Sequence, residues 1–310
     1  MPRYRVVFMG TPSFAVPSLD ALARTEEVTL VVTNPDRPAG RGQELTAPPV
    51  KNEARRLGIP VYQPEKAKHP ESVARIAAER PDLIVVAAYG QILPPSILDT
   101  PGYGCINVHA SLLPRYRGAA PVNWAIARGE TVTGITIMKM DPGMDTGPML
   151  HVREEPIGEE DTAETMLPRL AALGAEALTE ALGKHRAGTL TETPQDDQRA
   201  TYAPMLRKEH GRIDWGRPAR EVRNLVRGMT PWPSAYTDHG GKTLKVLAAS
   251  LREGNGEPGG ILSVDRDGLV VACGEGSLLL AKVQPEGGRA MSSREYAQGR
   301  RVRKGDRLSS

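Results

Sequence analysis

The sequence predicts two domains: an N-terminal α/β domain around a doubly wound, mostly parallel sheet of Rossmann-like type, and a small C-terminal β-barrel of OB-like type. Strand and helix patterns alternate through the first half of the chain, which is typical of parallel α/β sheets. Five short strand patterns separated by glycine-rich turns follow in the second half. The length of 310 residues also favours two domains over one.

Apolar, β-branched runs mark the strands of the first half, and helical spacing of apolar residues marks the segments between them. The predicted strands are Tyr4–Met9, Val28–Thr33, Leu83–Tyr89, Gly104–Ala110 and Gly134–Met140. The predicted helices are Ser13–Arg24, Val50–Leu57, Glu71–Glu79, Pro121–Arg128 and the long amphipathic Thr162–Leu182, which we expect to end before Gly183. Leu83–Tyr89 is almost wholly apolar, as expected for a parallel strand that is buried on both faces.

Two segments depart from this alternation. Asn34–Pro49 is polar and contains four prolines and two glycines, so we expect a long surface loop. Gly183–Gln198 is rich in Gly, Thr, Pro and Asp, a composition typical of a linker. We therefore predict a catalytic domain at residues 1–190, a linker at 191–206 and a barrel domain at 207–310.

The predicted barrel domain begins with a helix at Pro218–Arg227, where a proline occupies the first position. Its strand patterns are Ser234–Thr237, Thr243–Leu251, Gly260–Val264, Leu269–Cys273 and Leu278–Val283. Short strands with turn signals at this spacing indicate a small barrel or sandwich.

Composition excludes several classes of protein. No segment approaches the roughly 18 consecutive apolar residues of a membrane helix, and the apolar start of the chain is too short for a signal peptide. Two distant cysteines, Cys105 and Cys273, predict neither a disulfide framework nor a zinc knuckle. We expect a cytoplasmic protein with two reduced, buried thiols.

Charge is unevenly distributed along the chain. Residues 201–310 carry 19 Lys and Arg against 12 Asp and Glu, a net charge of +7, whereas residues 1–200 carry 21 against 25, a net charge of −4. A basic second half suggests a polyanionic partner, and a solvated surface without a special purpose is the alternative.

Polar side chains lie near the ends of two predicted strands. Asn107 and His109 are two residues apart on one strand, so their side chains share a face. An amide and an imidazole that converge can hold a developing oxyanion. Asp141 and Asp145 lie in the glycine-rich turn Met140–Gly147, where a carboxylate near His109 would orient its ring. Oxyanion donor, acid/base and orienting carboxylate are the parts needed for acyl transfer to an amine.

Other interpretations of these residues stay open on this basis alone. A strand histidine can simply bond nearby backbone, and aspartate is common in turns. Metal binding is a further alternative, but the other histidines do not fall at metal-site spacings, and we expect no metal.

The run Asn107–Pro114, Asn-Val-His-Ala-Ser-Leu-Leu-Pro, resembles the N-x-H-x-S-L-L-P signature of folate-dependent formyltransferases, and Asp141–Gly147 resembles their D-x-G-x-D-T-G turn. Three further runs resemble the branch of that family that acts on methionyl-tRNA. These are Gly10–Phe14, Asn34–Gly42, and Gly211–Trp215 together with Pro231–Pro233. Pro142 departs from the pattern, where a small residue is expected, but both aspartates and Gly143 remain. The resemblance covers the whole chain.

The resemblance implies transfer of a formyl group from the co-substrate 10-formyltetrahydrofolate to the amino group of methionine on initiator methionyl-tRNA, for translation initiation. It implies Asn107, His109 and Asp145 as the catalytic residues, with Asn107 and His109 stabilising the oxyanion. It also implies that the folate site is formed by Tyr89, Gly90, Gln91, Ile92, Ser111, Leu112, Leu113, Pro114, Asp141 and Gly143.

For the acceptor, the resemblance implies that Phe14 contacts the methionine side chain and that the Asn34–Pro49 loop contacts tRNA through Arg37 and Arg41. Arginines suit contacts with phosphates and base edges. The basic residues Arg207, Lys208, Arg212 and Arg300–Lys304 are candidates for phosphate contacts. We expect a monomer that makes no membrane contact. A sugar-amine or other small-amine formyltransferase is the alternative, as is a non-catalytic binder of aminoacyl-tRNA.

Overall fold

The computed structural model describes residues 3–39 and 44–310. Contacts between residues divide the chain into two units. The first comprises Met1–Pro121, Val132–Pro156 and Leu167–Ala203, and the second comprises Val122–Thr131, Ile157–Met166 and Pro204–Ser310. The chain therefore enters the second unit twice before it remains there from Pro204 onward.

A seven-stranded sheet forms the centre of the first unit, with the order β5-β2-β1-β6-β7-β8-β9. Pairing is parallel from β5 through β7, which confirms the predicted doubly wound, mostly parallel sheet. Every residue of β6 is buried, in agreement with its continuous apolar sequence. The sheet strands are β1 (Arg5–Gly10), β2 (Glu27–Val32), β5 (Val61–Tyr62), β6 (Leu83–Ala87), β7 (Cys105–His109), β8 (Val132–Lys139) and β9 (Met149–Pro156).

The predicted helices of the first half are all present, and α4 was not predicted. They are α1 (Val16–Thr25, after a 3-10 turn at Ser13–Ala15), α2 (Pro49–Arg56), α3 (Pro70–Ala77), α4 (Pro95–Leu98), α5 (Pro121–Ala127) and α6 (Ala163–Arg186). The end predicted for α6 at Gly183 was wrong. Gly188, with φ of +66°, ends it instead, because the N–H groups of Gly188 and Thr189 turn back to the carbonyls of His185 and Lys184.

Of the two strands after β7, only β8 runs against the expected direction, and β9 again runs in the direction of β7. β8 pairs antiparallel with β7, and β9 pairs antiparallel with β8. The carboxyl end of β8 therefore lies beside Ile106, near the start of β7. Residues of the following loop must fold back along the sheet to reach the other end of β7.

The polar segment Asn34–Pro49 is more ordered than the predicted loop. Its described residues include a short antiparallel pair, β3 (Arg37–Ala39) and β4 (Glu44–Thr46). A partly buried salt bridge holds its base, because Lys51 Nζ on α2 donates to both carboxylate oxygens of Asp36 at 2.6 and 2.7 Å. Arg41 lies outside the described residues.

Much of the predicted linker at residues 191–206 is anchored on the first unit. The Thr193 backbone pairs with Met149, and Ala203 pairs with the backbone of Arg117. Backbone hydrogen bonds thus hold Thr193 and Ala203 to the first unit, and the role of residues 191–206 as the connection between the domains stays a prediction. From Pro204 onward the residues belong to the second unit.

The second unit contains an antiparallel sheet with the order β10-β11-β14-β13-β12, to which β15 adds beside β14. Its strands are β10 (Ala235–His239), β11 (Lys242–Arg252), β12 (Ile261–Val264), β13 (Leu269–Ala272), β14 (Ser277–Pro285) and β15 (Met291–Ser292). Residues 305–309 hydrogen-bond both edges of this sheet, at Ile261 in β12 and at Asp238 in β10. The segment thereby closes the sheet into the predicted small barrel.

Two helices accompany the barrel: α7 (Ala219–Gly228) and α8 (Ser293–Arg300). α7 was predicted, and it contributes Val222 and Val226 to a core that also contains Trp215, Leu244 and Leu280. α8 was not predicted, although Ser292 and Glu295 form a capping box at its start. No helix within the described part of the chain is long and apolar enough to cross a membrane.

The early segments of the second unit are attached to α7 by side chains that bond backbone carbonyls. Arg223, only 5% exposed, donates to the Glu159 carbonyl at 2.6 Å, and Arg227 donates to the Asp161 carbonyl at 2.7 Å. Asn123 donates to the Gly228 carbonyl at 2.8 Å. These bonds explain why residues 122–131 and 157–166 belong to the second unit.

Candidate active site

Asn107, His109 and Asp145 lie together in the first unit. Asn107 and His109 are on β7 with one residue between them, so both side chains leave the same face of the sheet. The Asn107 Nδ2 atom lies 3.4 Å from Asp145 Oδ1, and His109 Nδ1 lies 3.7 Å from Asp145 Oδ2. The structure thus brings together the three residues that the sequence selected.

The two ring nitrogens of His109 have different surroundings. Nε2 lies 3.0 Å from the Tyr116 carbonyl, which can only accept, so Nε2 carries a hydrogen. Nδ1 faces the Asp145 carboxylate beyond hydrogen-bond distance. The ring itself is buried, with 6% exposed. Nδ1 is therefore the nitrogen that remains for a reacting group.

The loop from Met140 to Pro148 carries Asp145 back along the sheet. A side chain at either glycine of this loop would come too close to its neighbours. An added Cβ at Gly143 would lie 2.0 Å from Thr146 Oγ1, and one at Gly147 would lie 1.9 Å from the Lys139 carbonyl. Asp145 itself has φ of +54°, in the left-handed region that few side chains adopt. The backbone N–H of Gly118 donates to Asp145 Oδ2 at 2.8 Å and fixes the carboxylate.

Asp141, predicted to contact folate, has its carboxylate engaged within this loop. Its oxygens accept from Thr146 Oγ1 at 2.7 and 2.9 Å and from the Gly143 N–H at 3.0 Å. These bonds give Asp141 a loop-forming role. A contact of Asp141 or Gly143 with folate stays a prediction.

The run Ser111–Pro114, also predicted to contact folate, forms a turn against β8. Ser111 is fully buried, and its hydroxyl donates to the Arg115 carbonyl at 2.7 Å. Thr136 bonds both the Ser111 carbonyl and the Leu113 N–H. Leu112 faces Gly134, where an added Cβ would come within 2.6 Å of its side chain. This turn carries the chain away from His109, and its folate contact stays a prediction.

The loop after β6 contains the other predicted folate residues, Tyr89–Ile92. The Tyr89 ring is 1% exposed in the core, while Ile92 is 83% exposed. The Tyr89 carbonyl accepts from Asn34 Nδ2 at 2.9 Å, and Gln91 Nε2 donates to Asn34 Oδ1 at 2.8 Å. This loop is therefore bonded to the start of the polar segment Asn34–Pro49.

A cavity of about 680 Å³ opens on the first unit beside Asp141, within the size range of ligand sites. Its lining includes Gly104 and Cys105, at the amino end of β7, and Lys139, which pairs with Ile106, whereas Asn107, His109 and Asp145 do not line it. Burial raises the pKa of the Cys105 thiol to about 12. The other residues around the cavity include Pro95, Leu98, Tyr103, Lys139, Met140 and Pro142.

Sequence reasoning missed these cavity residues. It also missed Gln195, which contacts the Asp145 loop from the predicted linker, and Arg117, which donates to Gln195 from the turn after β7. No local sequence pattern identifies them, because their partners are distant in the chain.

The predicted acceptor residues are dispersed. Phe14 is half-buried in the 3-10 turn after β1, and Arg37 is exposed on β3. In the second unit, Arg207 and Lys208 are exposed, and Arg207 lies 3.9 Å from Glu209. Within the described residues no group of three or more His, Cys, Asp or Glu could hold a metal ion.

Two family models match this chain. One described as formyl transferase covers residues 4–182, and one described as formyl transferase, C-terminal domain, covers residues 205–301. Curated proteins named methionyl-tRNA formyltransferase are similar over the full length. The one from Geobacter metallireducens is 53% identical over 304 residues, 98% of each chain, and the one from Geobacter sulfurreducens is 54% identical over 309 residues, 99% of this chain and 98% of that protein.

Solved structures with the same fold are more distant in sequence. An N-formyltransferase from Helicobacter canadensis, in complex with folinic acid and dTDP-3-aminofucose, has a TM-score of 0.67 at 16% identity, covering 89% of this chain and 98% of its own. HypX from Aquifex aeolicus, in complex with tetrahydrofolic acid, has a TM-score of 0.62 at 18% identity, covering 95% of this chain and 47% of its own. At such identities the likeness concerns the fold alone.

Proposed function

This chain belongs to the formyltransferase family, and from that premise we propose that it transfers the formyl group of 10-formyltetrahydrofolate to the amino group of methionine on initiator methionyl-tRNA. The observation that carries the proposal is 53–54% identity to curated methionyl-tRNA formyltransferases over nearly the whole chain, barrel included. The product is N-formylmethionyl-tRNA for translation initiation.

In the proposed reaction the methionine nitrogen attacks the formyl carbon, and the carbonyl oxygen becomes an oxyanion. Asn107 Nδ2 and a protonated His109 Nδ1 stabilise that charge. The geometry supports these roles, because Nδ2 has only a long contact with Asp145 and Nδ1 has no short partner among the described residues. Preorganised donors of this kind stabilise the charge of the transition state in a site that excludes water.

Collapse of the tetrahedral intermediate breaks the bond between the formyl carbon and N10 of the folate. His109 gives its proton to N10, so tetrahydrofolate leaves neutral at that nitrogen, and the new amide nitrogen loses its extra proton to water or a carboxylate. Asp145 holds His109 and stabilises its charged form during these steps. The arrangement of nucleophile, oxyanion donors and acid is that of acyl transfer.

The folate is proposed to contact Tyr89, Gly90, Gln91 and Ile92 in the loop after β6, Ser111–Pro114 in the turn after β7, and Asp141 and Gly143 in the loop after β8. Support comes from the position of the first two segments, which follow the carboxyl ends of β6 and β7, where His109 also lies.

For the acceptor, we propose that residues 1–190 carry the chemistry, residues 191–206 connect the domains and residues 207–310 bind tRNA. Phe14 would contact the methionine side chain, and Arg37 and Arg41 would contact the acceptor stem. Arg207, Lys208, Arg212 and Arg300–Lys304 would contact phosphates, in keeping with the net charge of +7 of residues 201–310. The protein is proposed to act as a metal-free monomer in the cytoplasm.

The test is a formylation assay with the 10-formyl donor and charged initiator tRNA, in which formyl-methionine is measured after release from the tRNA. Uncharged initiator tRNA, charged elongator tRNA and an amino sugar nucleotide serve as parallel acceptors. The proposal requires efficient formylation of the charged initiator tRNA and none of the uncharged one. Preference for the sugar amine would replace it with a small-molecule formyltransferase.

A further inference from the structure

Gln195, in a segment whose composition suggests only a linker, contacts the loop that carries Asp145. Its Nε2 atom donates to the Asp145 carbonyl at 2.8 Å and to the Gly147 carbonyl at 2.7 Å. One side-chain amide thus bonds two carbonyls of the loop, those of Gly147 and of Asp145, which has φ of +54°. These bonds hold the backbone of the loop, whereas the Gly118 N–H holds the carboxylate of Asp145.

Arg117 determines which way the Gln195 amide points. Its Nε and Nη2 atoms donate to Gln195 Oε1 at 3.0 and 2.8 Å. Because arginine can only donate and the two loop carbonyls can only accept, the oxygen must face Arg117 and the NH₂ group must face the loop. Arg117 is 2% exposed, and it also pairs with Asp197 at 2.7 Å.

The two neighbours of Arg117 in the chain contact the catalytic candidates directly. The Tyr116 carbonyl accepts from His109 Nε2, the Arg117 guanidinium fixes Gln195, and the Gly118 N–H bonds Asp145. Tyr116 and Gly118 both have positive φ, so the backbone of this turn is specialised for these contacts. Tyr116–Gly118 and Gln195 therefore fix the positions of His109 and Asp145 relative to each other.

We propose that Gln195, oriented by Arg117, is a positioning residue that sets the place of Asp145 relative to His109 during formyl transfer. This inference rests on the proposed function. Gln195 acts through the loop backbone and does not touch the reacting atoms. Its loss lets the Asp145 carboxylate move away from His109, and misplacement of about 1 Å in an active site can cost on the order of a hundredfold in rate.

The test uses Gln195→Met, which keeps the length of the side chain and removes both donors, and Gln195→Glu, which puts a carboxylate oxygen against two carbonyls. Asp197→Asn is the matched control, because it changes an exposed partner of the same arginine without touching the loop. We expect kcat to fall at least tenfold in both Gln195 variants, with the KM values for donor and tRNA changed less than threefold, and Asp197→Asn to retain wild-type kcat.

A double-mutant cycle separates positioning from a general loss of structure. If Gln195 acts through Asp145, Gln195→Met adds little further loss of rate to Asp145→Ala, because the group it places is already gone. Additive losses, or wild-type kcat in the single Gln195 variants, overturn the inference. Should Gln195→Met fail to fold, judged by circular dichroism, Gln195→Glu carries the same cycle.

Failure of the proposed function gives a different result. A wild-type enzyme that formylates a small amine but no tRNA refutes the acceptor, and the cycle is then measured with that amine. A wild-type protein inactive with every acceptor refutes the proposed function. Amide exchange at residues 144–147 then tests the contact, and equal exchange in wild type and Gln195→Met overturns it.

Discussion

The backbone N–H of Gly118 donates a 2.8 Å hydrogen bond to the Asp145 carboxylate, which joins the turn after β7 to the loop after β8. Gly118 has φ of +114°, and an added Cβ would lie 2.8 Å from the Ala203 carbonyl. Gly118→Ala must therefore shift this N–H away from Asp145. We expect kcat to fall at least tenfold and the melting temperature to decrease, measured by formylation assay and calorimetry.

Gly183 provides the matched control, because it lies inside α6 with open space around its Cβ position. Gly183→Ala should stabilise the protein by about 0.5–1 kcal/mol through higher helix propensity, without changing kcat. Equal loss of activity in both alanine variants would contradict the role of the Gly118 N–H.

Asn107 is predicted to be an oxyanion donor. Asn107→Ala removes the Nδ2 atom that has only a 3.4 Å contact with Asp145, so stability should change little. The rate should fall by about 10²–10³, the loss typical of a single oxyanion donor, while folate affinity is retained. Replacing His109 should cost at least as much, because it also removes the proposed acid. Near-wild-type turnover in both variants, measured at saturating substrates, would refute the assigned roles.

Arg37 and Arg41 are predicted to contact the acceptor stem. Arg41→Ala and Arg37→Ala should raise the KM for tRNA and leave the affinity for folate unchanged, whereas Arg266→Ala, at an exposed position of the barrel unit, should change neither. Activity at subsaturating tRNA should also fall steeply with salt concentration. The measurement is a kinetic titration from low to high salt. A flat profile would argue that the basic second half is only structural.

Both cysteines are predicted to be unreactive in the native protein. Burial raises the pKa of Cys105 and of Cys273 to about 12. At pH 8 the thiolate fraction is then about 10⁻⁴, and both side chains are almost inaccessible. Iodoacetamide should therefore modify neither residue in the folded state and both in urea, measured by mass spectrometry. Rapid native modification of Cys105 would show that its strand opens near the cavity.

Thr237 joins the barrel core to the segment that closes it. Its hydroxyl accepts from Trp215 Nε1 at 3.0 Å and donates to the Ser309 carbonyl at 2.7 Å. Thr237→Val keeps the volume but leaves a buried indole N–H without its partner, at a cost of about 1–3 kcal/mol. Chemical denaturation should show lower stability with kcat intact at low temperature. Unchanged stability would mean that water replaces the hydroxyl.

The sequence predicted the strands of the sheet and barrel well where the apolar pattern was strong, as in β6 and β14. It could not give the direction of β8, because the residue pattern of a strand is the same read from either end. β9 was missed because its half-buried positions carry charged residues such as Arg153 and Glu155, so no apolar face shows in the sequence. The end of α6 was misplaced because a glycine ends a helix only where backbone conformation requires it, which is at Gly188.

The residues of the candidate site also divide into those that the sequence could predict and those that it could not. Asn107, His109 and Asp145 could be predicted, because the motifs and the two-residue period of a strand are visible within a few residues of sequence. Gln195 and Arg117 could not, since their importance comes from partners 50 and 78 residues away. Asp141 and Ser111 are predicted to contact folate, and their side chains also close local turns. The motif alone does not say which of its residues contact substrate and which shape the backbone.

The bonds of Gln195 with Arg117 and with the Asp145 carbonyl close loops of 78 and 50 residues. Such contacts form late, because a long stretch of chain loses its freedom before they stabilise anything. On dilution from denaturant, helical circular dichroism should therefore return before enzymatic activity. Catalytic competence would then be one of the last properties that the refolding chain recovers.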